Sequence, residues 1–228
     1  TVAPLVRAWG FGADAADEAP DNDALAALRE RVGVRHLTLD REAATLSKDR
    51  ADVTIDLSAV AKGHGVDRAA AAVRAAGYTR FLVEVGGEVV VAGTGPGRRH
   101  WRLGIERPDA PPGTVREVVP MRDRALATSG DYRNVRKLGE KRISHTIDPR
   151  TGRPVEHALA SVSVLADDCR TADGLATALS VLGPEDGMRL CREQKLAAYF
   201  LVRREDGSFD GRACPAWQPT IDAMQQDR

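Results

Sequence analysis

Asp173 and Thr177 stand four residues apart in Asp173-Gly-Leu-Ala-Thr177, a stretch that reads as the opening of a helix running through Ala178-Leu179-Ser180 toward Gly183. On a helix that spacing puts both side chains on one face, one turn above the other. A carboxylate and a hydroxyl so placed offer two hard oxygens to one hard cation such as Mg²⁺ or Ca²⁺, and a nearby helix N-terminus favours a bound anion. The plain alternative is that Asp173 caps the helix while Thr177 bonds back to its own main chain.

Four further stretches carry residue types beyond what folding needs. Asp56-Leu-Ser-Ala-Val-Ala-Lys62-Gly63 reads as a strand ending in Asp and turning through small residues into a helix, which exposes main-chain groups to a phosphate or cation. Lys62 would face that phosphate as a point charge, or would be a surface lysine on an ordinary turn. Glu84-Val-Gly86-Gly87-Glu88 holds two glycines that permit a close backbone approach or a hairpin turn. Thr128-Ser129-Gly130-Asp131-Tyr132 is a strand end entering a polar turn. His145-Thr-Ile-Asp148-Pro-Arg-Thr-Gly152-Arg-Pro154 packs a His, an Asp and an Arg into one rigid loop, where His145 is either a base or ligand or a structural histidine. Gly93-Thr-Gly95-Pro-Gly97 resembles a phosphate loop but lacks the G-x-G-x-x-G spacing and a following helix, so it reads as a turn.

The elements that must position these groups follow from the apolar pattern. Trp9-Gly-Phe-Gly12 precedes an acidic loop; Asp21 or Asn22 then caps a helix through Arg31 with Leu25, Leu28 and Val32 on one face. Residues 35–40 and 44–48 read as a hairpin, and residues 53–57 as a strand leading at Ser58 into a helix to Ala76. Strands are expected at residues 81–85, 88–91, 101–106, 115–121, 125–128, 160–165 and 197–203, with the Asp173 helix and a second helix from Pro184 to Glu193 between the last two. Residues 207–228 read as a polar tail of low order. Adjoining strands with helices packed on one side make the chain α+β with antiparallel sheet, and no repeat or linker divides residues 1–228, which read as one domain.

The chain's 228 residues are enough for one sizeable core, and 33 acidic residues balance 33 basic ones, so the composition points to no nucleic-acid or polyanion surface. The apolar runs at residues 158–166 and 196–202 are too short to span a bilayer. Cys169, Cys191 and Cys214 are widely spaced and odd in number, without a zinc-like pattern, and read as buried free thiols.

Together, Asp56-Leu-Ser-Ala-Val-Ala-Lys-Gly63, Val85-Gly-Gly-Glu88, Ser129-Gly-Asp-Tyr132, His145-Thr-Ile-Asp-Pro-Arg-Thr-Gly152, Ala160-Ser-Val-Ser-Val164 and Ala172-Asp-Gly-Leu-Ala-Thr-Ala-Leu179 resemble, in their order, the motifs of the ApbE flavin transferases, from about Pro4 to Arg203. The resemblance implies an ApbE-like, T-fold-related α+β architecture of antiparallel sheets and packed helices. It further implies a Mg²⁺-dependent FAD:protein FMN transferase that cleaves FAD, attaches FMN through a phosphoester to a Thr or Ser of an acceptor flavoprotein, and releases AMP. By position, the Ala59 carbonyl and the Asp173 and Thr177 side chains would hold Mg²⁺; Asp56, Lys62 and Ile147 would line the FAD site; His145 would assist deprotonation of the attacking hydroxyl. Ser163 and Gly174 stand where the family usually has Thr and Ala. Members carry an N-terminal segment ahead of the point where this chain begins, so the chain is expected to be a fragment or processed form lacking the N-terminal part of the family domain. That segment bears on whether FMN is transferred, FAD is hydrolysed by a Mg²⁺-dependent pyrophosphatase, or flavin is merely held. An export signal there would imply a cell-envelope location, and its lack a cytoplasmic one.

Overall fold

A computed structural model describes residues 1–11, 18–111, 113–130, 135–138 and 141–226. Gly12, Asp131 and Tyr132 from the motifs above, and residues 227–228, lie outside the described residues. In chain order the elements are α1 (Ala3–Ala8), α2 (Asn22–Arg29), β1 (Leu37–Asp40), β2 (Thr45–Lys48), α3 (Ser58–Ala75), β3 (Phe81–Val85), β4 (Glu88–Ala92), β5 (Trp101–Glu106), β6 (Val115–Met121) and β7 (Arg124–Gly130). They continue with β8 (Val135–Leu138), β9 (Lys141–Ser144), β10 (Ile147–Asp148), β11 (Arg153–Pro154), β12 (Leu159–Ala166), α4 (Cys169–Gln194), β13 (Ala197–Arg203), β14 (Phe209–Ala213) and α5 (Trp217–Gln226). They form two compact units, residues 1–57 with 133–156 and residues 58–132 with 157–228.

In the first unit, Asp21 caps α2 by accepting the Ala24 amide at 2.8 Å, as its residue type demands. Leu25 and Val32 join Leu5, Trp9 and Ile147 in a small core. β1 and β2 form the expected antiparallel hairpin. Residues 53–57 do not form the expected strand: only Val53 is buried, residues 54–57 are exposed, and no strand among the described residues pairs with them. β-propensity without a partner edge does not make a strand.

The second unit is built on a six-stranded antiparallel sheet in the order β14-β13-β12-β7-β4-β3. Alternation along β4 sorts its side chains between two layers. Val90 and Ala92 join Val66 and Ala70 of α3 and Cys169 and Ala172 of α4, while Val89 and Val91 join Ile105, Val119 and Met121 of the β5–β6 hairpin. Gly86 and Gly87 turn the β3–β4 hairpin with φ of +64° and +99°, conformations that suit glycine.

α3 and α4 meet at Gly63. A Cβ built there would lie 2.3 Å from the Cys169 carbonyl oxygen and 2.8 Å from the Arg170 Cα. Asp67, one turn on, accepts the Cys169 and Arg170 amides at 2.8 and 2.9 Å, so a side chain of α3 caps the start of α4. Asp168 is the cap within α4's own sequence, accepting the Thr171 amide at 2.8 Å. Asp173 therefore lies in the second turn and is not the cap.

Gly183, with φ +78° and ψ −177°, breaks α4 into two helical rods, and Pro184 begins the second, where a missing amide is tolerated. His157 fills the break, its Nε2 donating to the Ser180 carbonyl at 2.9 Å, while its Nδ1 accepts the Leu159 amide at 3.4 Å.

Residues 207–226 are ordered structure and not the expected tail. β14 pairs with β13, and α5 buries Trp217, Ile221 and Met224. Their spacing is a helical stripe, which the polar residues between them disguise. All three cysteines are free and buried, as expected.

Gly63→Ala is expected to lower stability by about 1–3 kcal/mol, because backbone atoms must move to admit one methyl group; denaturant unfolding reads this directly. Trp217→Ala is expected to cost about 3–5 kcal/mol, whereas a disordered tail would leave the unfolding midpoint unchanged.

Candidate functional site

Ala59, Lys62, Asp173 and Thr177 belong to the second unit, and Asp56, His145 and Ile147 to the first. In the second unit the close α3–α4 contact sets the geometry. The Gly63 amide donates to Asp173 Oδ2 at 2.8 Å. In a regular helix that amide faces the Ala59 carbonyl one turn back, so the donation to Asp173 sets the carboxyl close to the oxygen assigned to a cation. Thr177, one turn beyond Asp173, has its Oγ1 3.5 Å from Ser129 Oγ at the end of β7.

Lys62, on the same helix, donates to Glu88 Oε1 at 2.6 Å. Glu88 opens β4 and is only 1% exposed; its Oε2 is buried without a hydrogen-bond partner among the described residues. Gly86 lies alongside, its Cα so placed that a Cβ would sit 3.6 Å from Glu88 Oε2 and 3.7 Å from Lys62 Cδ.

Burial pushes the Asp173 carboxyl above its ordinary range, outweighing the Gly63 amide and the Lys62 charge. Burial also raises the Glu88 carboxyl, against the hydrogen bond and charge of Lys62, and the neighbouring Asp173 raises it further. Two buried carboxyls thus share one lysine, a deficit of positive charge that a divalent cation would make good. The donor set fits Mg²⁺, which takes few carboxylates and keeps room for water and substrate phosphates. No cluster of three or more His, Cys, Asp or Glu side chains able to hold a metal is found among the described residues.

In the first unit, Ile147 is 4% exposed within the local core, and Asp56 is exposed just before α3. His145 sits between β9 and β10, its ring edge-on to Phe11 with centroids 6.3 Å apart. Asp148 is held by Arg150, whose Nε and Nη2 donate at 3.0 and 2.8 Å. Burial raises that carboxyl, but the Arg150 hydrogen bonds and charge outweigh it and leave it below the usual range.

Glu88 and Ser129 were not singled out as site residues from sequence, although both stretches containing them stood out. What marked them was a Gly-Gly turn and a strand end; the side-chain pairing that brings them to Lys62 and Thr177 spans 26 and 48 residues. No described helix is long and apolar enough to cross a membrane.

The raised carboxyls carry a stability consequence. Folded Asp173 and Glu88 retain protons that the unfolded chain releases, so metal-free stability falls as pH rises from the ordinary carboxylate range through their raised values. Asp173→Asn keeps an acceptor for Gly63 and removes the charge. It is expected to stabilise the metal-free protein at neutral pH and to flatten this decline; thermal unfolding against pH checks both.

The ApbE family model matches residues 1–200. The chain is 42% identical over 222 residues to the FAD:protein FMN transferase of Vibrio cholerae, covering 97% of this chain and 66% of that protein. It is 38% identical to the Escherichia coli K12 protein of the same name, covering 90% of this chain and 60% of that one. The chain thus spans roughly three fifths to two thirds of these relatives' length. Among solved structures, the flavin transferase ApbE of Vibrio cholerae superposes with a TM-score of 0.83 at 41% identity, over 96% of this chain and 69% of that one. The apo flavinyl transferase ApbE of Pseudomonas stutzeri gives 0.85 at 36% identity, over 97% and 68%. With the family model matching residues 1–200 and relatives about 40% identical over nearly all of it, the chain belongs to the ApbE family.

Proposed function

We propose that the chain acts as a Mg²⁺-dependent FAD:protein FMN transferase, which moves FMN from FAD to a Thr or Ser hydroxyl of an acceptor flavoprotein and releases AMP. The observation that carries this reading is the buried Asp173, one turn from Thr177 and beside the Lys62–Glu88 pair, in a chain about 40% identical to proteins bearing that name. Ala59 O, Asp173 and Thr177 would hold the cation, which when bound would neutralise charge on the pyrophosphate as its P–O bond breaks.

The protein's own groups do the rest. Glu88 holds the Lys62 ammonium at 2.6 Å, so that a flexible side chain presents a fixed positive charge to the phosphates. Asp56 and Ile147 line the flavin site in this reading. The acceptor oxygen attacks the flavin-side phosphorus; a new P–O bond forms, the bridging P–O bond breaks, and the bridging oxygen leaves with AMP. The hydroxyl proton goes to His145, because an unassisted threonine hydroxyl is a poor nucleophile at neutral pH.

The test is incubation of the full chain with FAD, Mg²⁺ and an acceptor domain, reading AMP by chromatography and FMN on the acceptor by mass spectrometry. Stoichiometric AMP and FMN–acceptor are expected. Loss of the signal is expected for Asp173→Ala, and a drop of about 10²–10⁴-fold for His145→Ala. AMP and free FMN without a labelled acceptor would instead make the protein an FAD pyrophosphatase, and flavin binding without turnover would make it a flavin carrier.

A further inference from the structure

A second feature of the same unit lies at the other end of β4 from Glu88, about 13 Å away along the strand. There a groove of about 1000 Å³ is lined by Arg80, Arg98, Arg99, Arg102 and Arg122, with His100 beside them and no acidic residue among its lining. Arg122 leans on its neighbour Asp123, with 3.4 Å between Nε and Oδ2. Among the described residues, no ion pair engages Arg80, Arg98, Arg99 or Arg102. In a chain whose 33 acidic and 33 basic residues cancel, this is a strong local excess of one sign.

The arginines are built into a rigid frame. Gly93-Thr-Gly95-Pro-Gly97, the glycine-rich stretch that reads as a turn, carries Arg98 and Arg99 on its far limb. Arg98 itself takes a left-handed backbone with φ +57°, a conformation that non-glycine residues rarely adopt. The turn is braced from below: Gly95 donates to the Arg99 carbonyl at 2.7 Å, and Trp101, whose ring a Gly95 Cβ would meet at 3.2 Å, donates to Ala92 O at 3.2 Å. Arg102 joins from β5, opposite Pro120. Val118 and Pro120 add an apolar strip to the lining.

We propose that this groove is a docking site for an acidic segment of the acceptor protein, held apart from the place where its hydroxyl reacts. This rests on the reading of the chain as a transferase onto a protein hydroxyl, because such an enzyme must hold a macromolecular second substrate as well as FAD. Arginine forks pair bidentately with carboxylates. A concave lining with an apolar strip suits a peptide chain better than a membrane surface, and its size lies at the upper end for a small ligand. The lining has no Phe, Tyr or Trp side chain on which nucleic-acid bases would stack.

The test uses the full chain without flavin and a fluorescent Asp/Glu-rich peptide, with anisotropy read at 50 and 200 mM salt. Binding is expected that weakens at least tenfold at the higher salt, and at least tenfold again in an Arg98→Glu, Arg102→Glu double variant. Both positions are exposed, and an unchanged unfolding midpoint confirms that the variant is folded. Tripolyphosphate and vesicles of anionic lipid are run alongside; preference for either over the peptide overturns the assignment, as does no binding or binding that the double variant leaves unaltered. In the transfer assay, the double variant is expected to raise the acceptor KM about tenfold with kcat unchanged, and an unchanged KM overturns the proposal. If the chain transfers no FMN at all, the wild-type protein fails that assay too, while the flavin-free binding arms still judge the groove.

Discussion

The separation between α3 and α4 is set by the absence of one methyl group. At Gly63 the two helices approach until a backbone carbonyl of one occupies the space where the other would carry a Cβ. Everything at the candidate site inherits that distance. It lets the Gly63 amide reach Asp173, brings Asp67 under the first amides of α4, and sets Ala59 and Lys62 of one helix beside Asp173 and Thr177 of the other. Tight helix contact through a small residue trades local flexibility for close approach, and here it joins two segments more than a hundred residues apart in sequence.

The same packing leaves the site electrically unfinished. Asp173 and Glu88 are buried with one lysine between them, and one oxygen of Glu88 faces no donor among the described residues. Burying a charge without full compensation costs stability, so the folded scaffold carries a strain that a cation and a polyanionic ligand would relieve together. In the reading proposed above, the oxygen-only donors would suit a hard cation.

Much of this was legible in the sequence. The helix starting at Ser58, the β3–β4 hairpin at Gly86-Gly87, β12, β13 and the break before Pro184 all announce themselves through periodicity, caps and turn residues. The i, i+4 relation of Asp173 and Thr177 survives in the structure because helix geometry is local. What was not legible depends on partners distant in sequence. Residues 53–57 look like a strand but find no edge to join among the described residues. The C-terminal segment looks polar, yet Trp217, Ile221 and Met224 meet a surface prepared by β13 and the β5–β6 hairpin. Glu88 reads as a charged residue beside a turn, and only the fold shows it as a buried counterion of Lys62.

The interruption of α4 at Gly183 has a bearing on how the site responds to heat and to local opening. Helix order propagates along a continuous hydrogen-bonded ladder, so fraying at one end weakens its neighbours in turn. Here the ladder is cut, and His157 supplies a donor to the Ser180 carbonyl at the cut end. The rod bearing Asp173 and Thr177 is thereby terminated on its own account. Opening of residues 184–194 is therefore expected to stop at the break, with Asp173 and Thr177 keeping their register on the first rod.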